Sequence, residues 1–192
     1  MPKLKKKWSE IEESVGGFSD IEPGAYVLVI TGYDVNESQQ FVSMKWDVAE
    51  GPAKGTYAKS QYPPADVLSW KETAYNMLKH KLHVLAESNA GFQPTVAFEN
   101  DQWGEFVGKR FYAVVRRRLY TAGPNSKTPG ADRMAIEVAR WLMPEEFEEH
   151  DWPESLTKDR DQRDKSAQQQ AQAPVMAPPA QQVAMYDEDV PF

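Results

Sequence analysis

The sequence predicts a small, mainly β domain with one amphipathic helix and a disordered polar tail. Two stretches, residues 39–49 and 110–120, alternate apolar and polar side chains as half-buried strands do. One stripe of apolar residues recurs at intervals of three and four, as on a helix. After residue 157 large apolar side chains become rare, and such a segment cannot offset the entropy of ordering. The predicted parts are a polar extension (1–15), a β domain (16–157), a disordered linker rich in Gln, Ala and Pro (158–185) and an acidic tip (186–192).

Three strands are predicted before the helix. Residues 25–31 are a dense run of β-branched and aromatic side chains, which indicates the first strand. Residues 39–49 indicate the second, with the even-numbered residues, Trp46 among them, facing the core. A third strand is predicted over residues 55–62, where a Pro-Pro pair would stop it.

The helix stripe runs from Val67 to Leu85. The spacing of Ser69 and Glu72 is that of a capping box, which predicts the start of the helix there. Gly91 is a stop signal at the other end.

The last two strands follow a loop-rich stretch that extends to residue 108. They are predicted over residues 111–119 and 134–138, joined by a turn-rich loop at residues 121–130. The order is therefore three strands, one helix and two strands. That is the element order of the OB-fold, a five-stranded Greek-key barrel, with its helix between strands 3 and 4.

Composition and charge exclude several classes of protein. The 192-residue chain has no cysteine, which excludes disulfide scaffolds, zinc ribbons and thiol catalysis. No apolar run approaches the roughly 18 residues of a membrane span, so we expect a soluble, cytoplasmic protein without a membrane partner. The net charge is −7, yet residues 105–140 hold eight basic side chains against three acidic ones. A local basic surface on an acidic protein points to an anionic partner.

The fourth strand carries most of the candidate surface. Alternation places Phe111, Ala113 and Val115 towards the core, and arginine and tyrosine side chains on the outer face. Arginine pairs with phosphate and flat rings stack on unpaired bases, so this face suits a single-stranded nucleic acid. The same pattern is also typical of a solvated barrel face. The outer face comprises Arg110, Tyr112, Val114, Arg116, Arg118 and Tyr120, and neighbouring elements add Phe41, Lys45, Tyr57, Lys59, Lys127 and Arg133.

The sequence offers no catalytic motif, so we expect neither an enzyme nor a cofactor or metal. His80 and His83 lie three residues apart on the predicted helix, but no further histidine and no cysteine lies near them. A zinc site needs three or four ligands, so a structural role is favoured for both.

The chain ends in an acidic tip with an apolar terminus. Such a peptide can place a terminal ring in an apolar pocket and its carboxylate on an arginine, and a purely solubilising tail needs no such ending. It could also fold back and compete with an anionic ligand for the basic face. The tip residues are Asp187, Glu188, Asp189, Val190, Pro191 and Phe192.

This tip resembles that of bacterial single-stranded-DNA-binding proteins, which typically end Asp-Asp-Asp-Ile-Pro-Phe after a Gln/Pro/Gly-rich linker. The body is similar to a phage-encoded family of single-stranded-DNA-binding proteins. The resemblance implies an OB-fold, sequence-tolerant binding of single strands during replication or recombination in the host cytoplasm, and a tip that recruits replication, recombination and repair enzymes. The similar patches of the body are residues 17–26, 46–51 with 55–57, and 87–89 with 107–109.

Two other functions stay open at this point. The barrel could bind protein while the tip mimics the host tail, or it could be an RNA-binding module. A homo-oligomer is also compatible with the sequence.

Overall fold

The computed structural model describes residues 21–123 and 128–163. Within them the six strands are β1 Gly24–Asn36, β2 Phe41–Val48, β3 Ala65–Ser69, β4 Arg110–Thr121, β5 Asp132–Leu142 and β6 Arg160–Asp161. The α-helices are α1 Tyr75–Ser88, α2 Pro94–Glu99 and α3 Pro144–Glu148, and short 3-10 turns occupy Glu72–Ala74, Trp103–Phe106 and Glu154–Thr157. The mainly β class is confirmed, and α1 lies between β3 and β4 as predicted. The prediction of a single helix is too few, because α2 also lies there and α3 follows β5.

The strands form one sheet in the order β3-β2-β1-β4-β5, and β6 lies parallel to the end of β4. β1 is long enough to serve two neighbours, because its first half pairs with β4 and its second half with β2. The two stretches overlap at Leu28 and Val29, and a register shift in the β1–β2 pairing follows between Ile30 and Gly32. Among the described residues no ladder joins β3 to β5, so the sheet is not closed into a barrel, and β6 is a strand that the sequence did not predict.

The core lies between the inner face of this sheet and α1. All four predicted core residues of β2, from Val42 to Val48, are at most 2% exposed, so the alternation read from the sequence is confirmed. The Phe111 ring of β4 stacks on Trp141 of β5, with 3.9 Å between ring centroids. Trp46 meets Tyr57 edge-on at 5.7 Å. These large rings supply much of the buried apolar area that stabilises the fold.

Side chains from α1 join the two unpaired edges at one end. Lys81 is 5% exposed, and its Nζ donates to Asp66 Oδ2 (2.5 Å) and to the carbonyl oxygen of Val67 (2.8 Å), both in β3. Trp141 Nε1, in β5, donates to the same Asp66 oxygen at 2.6 Å. His80 Nε2 donates to the Trp141 carbonyl oxygen at 3.0 Å. We call Lys81, Asp66 and Trp141 the seam clasp, because they connect β3 to β5 where no ladder does.

The predicted third strand over residues 55–62 is wrong. These residues form successive turns, in which Gly55 has a φ of +72° and Asp47 Oδ1 accepts from the Tyr57 backbone N–H at 3.0 Å. A side chain that satisfies a buried backbone donor stabilises a turn against the extended alternative. The strand follows the Pro-Pro pair instead. Pro64 can lie beside β2 because its carbonyl oxygen accepts from Trp46 N at 3.0 Å, and proline has no backbone N–H that would need a partner.

The predicted helix start is also wrong, whereas its end is confirmed. Val67 and Ser69 belong to β3, and α1 begins only at Tyr75, after the 3-10 turn. Val67 of β3 lies three residues before Trp70, so it extends the helix stripe by coincidence. α1 ends at Ser88, and Gly91, with a φ of +76°, follows in the left-handed conformation that favours glycine.

We expect Asp66→Asn to lower the free energy of unfolding by about 2–4 kcal/mol. Asparagine keeps an acceptor for Trp141 but leaves the Lys81 ammonium buried without a counter-charge. Urea denaturation measures the effect.

The matched control is Asp34→Asn, which removes the partner of Lys45 from an exposed pair 2.7 Å apart and should cost less than about 1 kcal/mol. Adding Lys81→Met to Asp66→Asn should recover most of the loss, since no charge then remains buried. Equal destabilisation by Asp66→Asn and Asp34→Asn would contradict a special role for the clasp.

Candidate nucleic-acid interface

The space between the edges of β3 and β5 forms a surface groove beside the clasp. It consists of two adjoining clefts, of about 280 Å³ and about 490 Å³, which share Ala65 and Arg118. We call the two together the seam groove. Its aromatic end is lined by Tyr62, Pro64, Tyr120, Met134 and Ile136. Its cationic end is lined by Lys81, Arg116, Arg118, Arg140 and Arg160, with Asp66 and Glu137 as the acidic members.

Three arginines converge on one carboxylate at the cationic end. Glu137 Oε1 accepts from Arg116 Nε at 2.8 Å and lies 3.5 Å from an Nη of Arg160. Its other oxygen lies 3.6 Å from an Nη of Arg118. We call Arg116, Arg118 and Arg160 the arginine cluster. With Glu137 counted, the cluster keeps two positive charges in excess.

Strand register explains why these side chains meet. Arg116 and Glu137 are direct cross-strand partners in β4 and β5, which places their side chains on one face. Arg118 lies opposite Ala135, whose small side chain leaves room for the guanidinium group to reach diagonally towards Glu137. Arg160 arrives from β6, whose register pairs it with Arg118.

The aromatic end presents rings and a thioether to solvent. Tyr120 follows Arg118 by two residues on the same face of β4, and the Arg118 guanidinium carbon lies 5.2 Å from the Tyr120 ring centroid. Tyr62, which precedes the Pro-Pro pair, is 70% exposed, and Met134 of β5 is 43% exposed. Exposed rings beside a guanidinium group are the arrangement on which unpaired bases stack.

Of the predicted interface residues, Arg116, Arg118 and Tyr120 lie in the seam groove. Tyr57 lies at its wall but is 5% exposed, so the prediction that its ring lies on an outer strand face is wrong. The cause is the turn over residues 55–59, which directs the ring against Trp46.

The outer face of β4 is covered at its start by residues 143–163, which we call the C-terminal strap. α3 and the 3-10 turn Glu154–Thr157 pack against β4. The Phe147 ring lies 4.8 Å from that of Tyr112, which is therefore half-buried under the strap. Val114 is completely buried, so the prediction that it lies on an outer, solvent-facing strand face is wrong.

The end of the strap is fixed to the sheet. Gln162 N donates to the Leu119 carbonyl oxygen at 2.8 Å, and Arg163 donates to Asp132 at 3.0 Å. Hydrogen bonds from Arg163 hold the pKa of Asp161 at about 2, so this carboxylate is charged at neutral pH. β6 lies in the range predicted as linker, and its pairing with β4 is what brings Arg160 to the cluster.

The other predicted residues that the structure describes do not line the seam groove. Arg110 pairs with Glu50 at 2.5 Å, and Lys45 pairs with Asp34. Arg133 donates to Thr128 at 2.7 Å. Phe41 is half-buried and Lys59 is exposed. Lys127 and the tip residues 187–192 lie outside the described residues.

The groove residues that the sequence did not predict include Tyr62, Met134, Glu137 and Arg160. Tyr62 and Met134 lie within predicted strands, and their place in a strand does not indicate that they are exposed. The sequence does single out Glu137, because it is an acidic residue in a stretch rich in basic ones. Its arginine partners, however, follow from the register between β4 and β5. Arg160 had no usable signal, because its segment has the composition of a linker.

The two histidines make separate contacts. His80 bonds to the Trp141 carbonyl, whereas His83 Nε2 lies 3.6 Å from Glu87 Oε1 on the same helix. In the described ranges no three metal-ligating side chains lie together. Nor does any helix there have the length and apolarity needed to span a bilayer.

No protein-family model matches the chain, and no curated protein matches it significantly. The function must therefore be inferred from the residues and their geometry.

Proposed function

We propose that this protein binds single-stranded DNA in the seam groove with little sequence preference. Phosphates would pair with the arginine cluster, and unpaired bases would stack on Tyr120 and Tyr62. The observation that carries the proposal is the junction at Arg118, which belongs to the cationic cleft and the aromatic cleft at once. A nucleotide carries its phosphate and its base close together, so its binding site needs a cationic group and an aromatic ring next to each other.

Charge supports an anionic ligand at this place. The protein as a whole is acidic, yet five cationic side chains line the larger cleft against two carboxylates. Guanidinium groups suit phosphate because their donors form a planar fork that binds two oxygens together. The field of such a cleft would direct a strand to the groove rather than to the acidic remainder.

Exposed rings support a single strand rather than a duplex. Stacking on a tyrosine requires an unpaired base with a free face, whereas duplex bases are stacked on one another. Stacking does not read base edges, so binding would tolerate many sequences.

We also propose that the fold is an OB-fold with an open seam. The order β3-β2-β1-β4-β5 would close into a five-stranded barrel if β3 paired with β5. α1 lies between β3 and β4, where that fold has its helix. OB-folds are often partly open, and the loop between strands 4 and 5 contacts oligonucleotides in many of them. Here Tyr120 and Met134 flank that loop.

The acidic tip would complete the function by recruiting replication, recombination and repair enzymes of a phage-infected host. Its three acids and terminal Val-Pro-Phe are the support for this part. Binding in the groove and recruitment by the tip would then be separate activities joined by a linker.

We expect Arg116→Ala with Arg118→Ala to weaken binding of labelled oligo-dT by about tenfold or more at low salt. The slope of log K against log salt should become shallower by about 1.4, since two of the positive charges that neutralise the strand are lost. Fluorescence anisotropy at several salt concentrations measures both quantities.

Arg110→Ala is the control for this pair, because Arg110 bonds to Glu50 outside the groove and should leave affinity nearly unchanged. Duplex DNA of equal length should compete poorly, and competition with oligo-U compares RNA with DNA. If the wild-type protein does not bind oligo-dT even at low salt, the proposal is wrong and a protein-binding adaptor becomes the better interpretation.

We expect Tyr62→Ala and Tyr120→Ala each to cost about 1–3 kcal/mol of binding free energy while the salt slope stays unchanged. A lost stacking contact removes no phosphate pair, so the two kinds of variant are distinguishable by titration. Tyr75→Ala removes an exposed ring outside the groove, with Tyr75 54% exposed, and should have no effect. An equal loss in all three tyrosine variants would count against stacking in the groove.

A further inference from the structure

We propose that Glu137 and the arginine cluster form an exchange site for one phosphate. In the free protein the Glu137 carboxylate holds the three guanidinium groups together, and a phosphodiester of the bound strand takes its place. This inference rests on the proposed function. It gives a role to Glu137, whose negative charge would otherwise only repel the phosphates of the strand.

One carboxylate cannot satisfy three arginines. Each guanidinium group has five N–H donors, whereas a carboxylate has about four acceptor positions. Only Arg116 Nε lies within hydrogen-bond distance of Glu137, at 2.8 Å, and the other two contacts are 3.5 and 3.6 Å long. Nε of Arg118 is buried and has no hydrogen-bond partner among the described residues. The cluster is therefore assembled with unused donor capacity.

A phosphate meets that capacity better than a carboxylate does. Its oxygens point in tetrahedral directions, so it can accept from arginines that approach from different elements. Arg116 comes from the middle of β4, Arg118 from nearer its end, and Arg160 from β6. Replacement of Glu137 would give these donors shorter bonds without moving the strands.

Exposure indicates the side from which the phosphate enters. The side chains of Arg118 and Arg160 are 37% and 43% exposed, whereas those of Arg116 and Glu137 are 20% and 16% exposed. A phosphate would first meet Arg118 and Arg160 and then displace the carboxylate from Arg116. Because Arg118 also lies against Tyr120, the neighbouring base would arrive beside that ring.

The C-terminal strap sets the position of the third arginine. In the amide orientation that satisfies its neighbours, Gln162 accepts from Arg160 Nη2 at 2.7 Å and Nε at 3.0 Å. The Arg163 bridge to Asp132 fixes the same segment to the start of β5. The strap thus contributes a ligand to the site as well as a cover for β4.

The competing interpretation is that Glu137 is a static brace whose only role is to stabilise the sheet. The two interpretations predict opposite results when the charge of Glu137 is removed. A brace, once weakened, loosens the arginines and lowers affinity. An exchange site loses its internal competitor and gains affinity.

The test is Glu137→Gln in the full chain, titrated with labelled oligo-dT by anisotropy. We expect the dissociation constant at low salt to fall about threefold or more, and the salt slope to steepen by about 0.7. Glu22→Gln is the matched control, because it removes a carboxylate 2.9 Å from Arg117 outside the groove and should change neither quantity. Unchanged or weaker binding by folded Glu137→Gln overturns the proposal.

Arg160→Ala provides a second variant that leaves Glu137 in place. It should weaken binding about threefold and flatten the slope by about 0.7, and it should remove the gain when combined with Glu137→Gln. Should Glu137→Gln fail to fold, Arg160→Ala decides alone, and unchanged binding overturns the proposal.

Inorganic phosphate separates failure of this site from failure of the proposed function. At constant ionic strength, replacing chloride by phosphate should raise the melting temperature of Glu137→Gln by about 2 °C more than that of the wild type. If no variant binds oligo-dT, the proposed function is wrong, and this phosphate experiment then decides on the exchange site. No phosphate-specific rise in Glu137→Gln overturns it.

Discussion

The buried ion pair between Lys81 and Asp66 determines the shape of this protein. β3 has only five residues, and among the described residues it has no ladder with β5, so the sheet depends on side chains to connect its two edges. Lys81 provides that connection from α1, and Trp141 adds the bond from β5. Because a buried lysine needs a charged partner, Lys81 keeps α1 against β3, and the Trp141 hydrogen bond to the same carboxylate adds β5. The seam is held at the clasp, and the groove extends away from it.

The strap explains why part of the arginine- and tyrosine-bearing strand is available and part is not. α3 brings Phe147 over Tyr112, and the start of β4 becomes an inner layer. Beyond that point the strap no longer covers the face of β4, because β6 pairs with the edge of β4 instead. Arg116 and Arg118 are left at the boundary, half-buried and therefore held in defined positions. Defined positions matter because a fixed guanidinium group loses less conformational entropy on binding.

The success of the sequence-based predictions depended on whether an element is set by its own periodicity. Alternation in β2 and β4 predicted the buried Trp46 and the shared face of Arg116, Arg118 and Tyr120, because period two is a local property of a strand. Tyr57 was misplaced because a buried Asp47 stabilises a turn, a contact between residues ten positions apart. Glu137 and Arg160 could not be assigned, since their positions follow from the β4–β5 register and from the pairing of β6.

Two pairs of opposite charge in the same groove have different physical characters, and this difference explains how one surface is both stable and able to bind. Lys81 has two short bonds to β3 and little exposure, so its removal from Asp66 would leave a charge in the interior. Glu137 has one short bond, two long contacts and more exposure, so it can leave its partners at a smaller cost. Placing a permanent pair beside an exchangeable one keeps the edges of the sheet fixed while the ligand competes for the arginines alone. If every arginine were held in a buried pair like Lys81 and Asp66, the groove would be rigid but would offer no donors to a ligand. If the arginines had no carboxylate between them, their positive charges would repel one another.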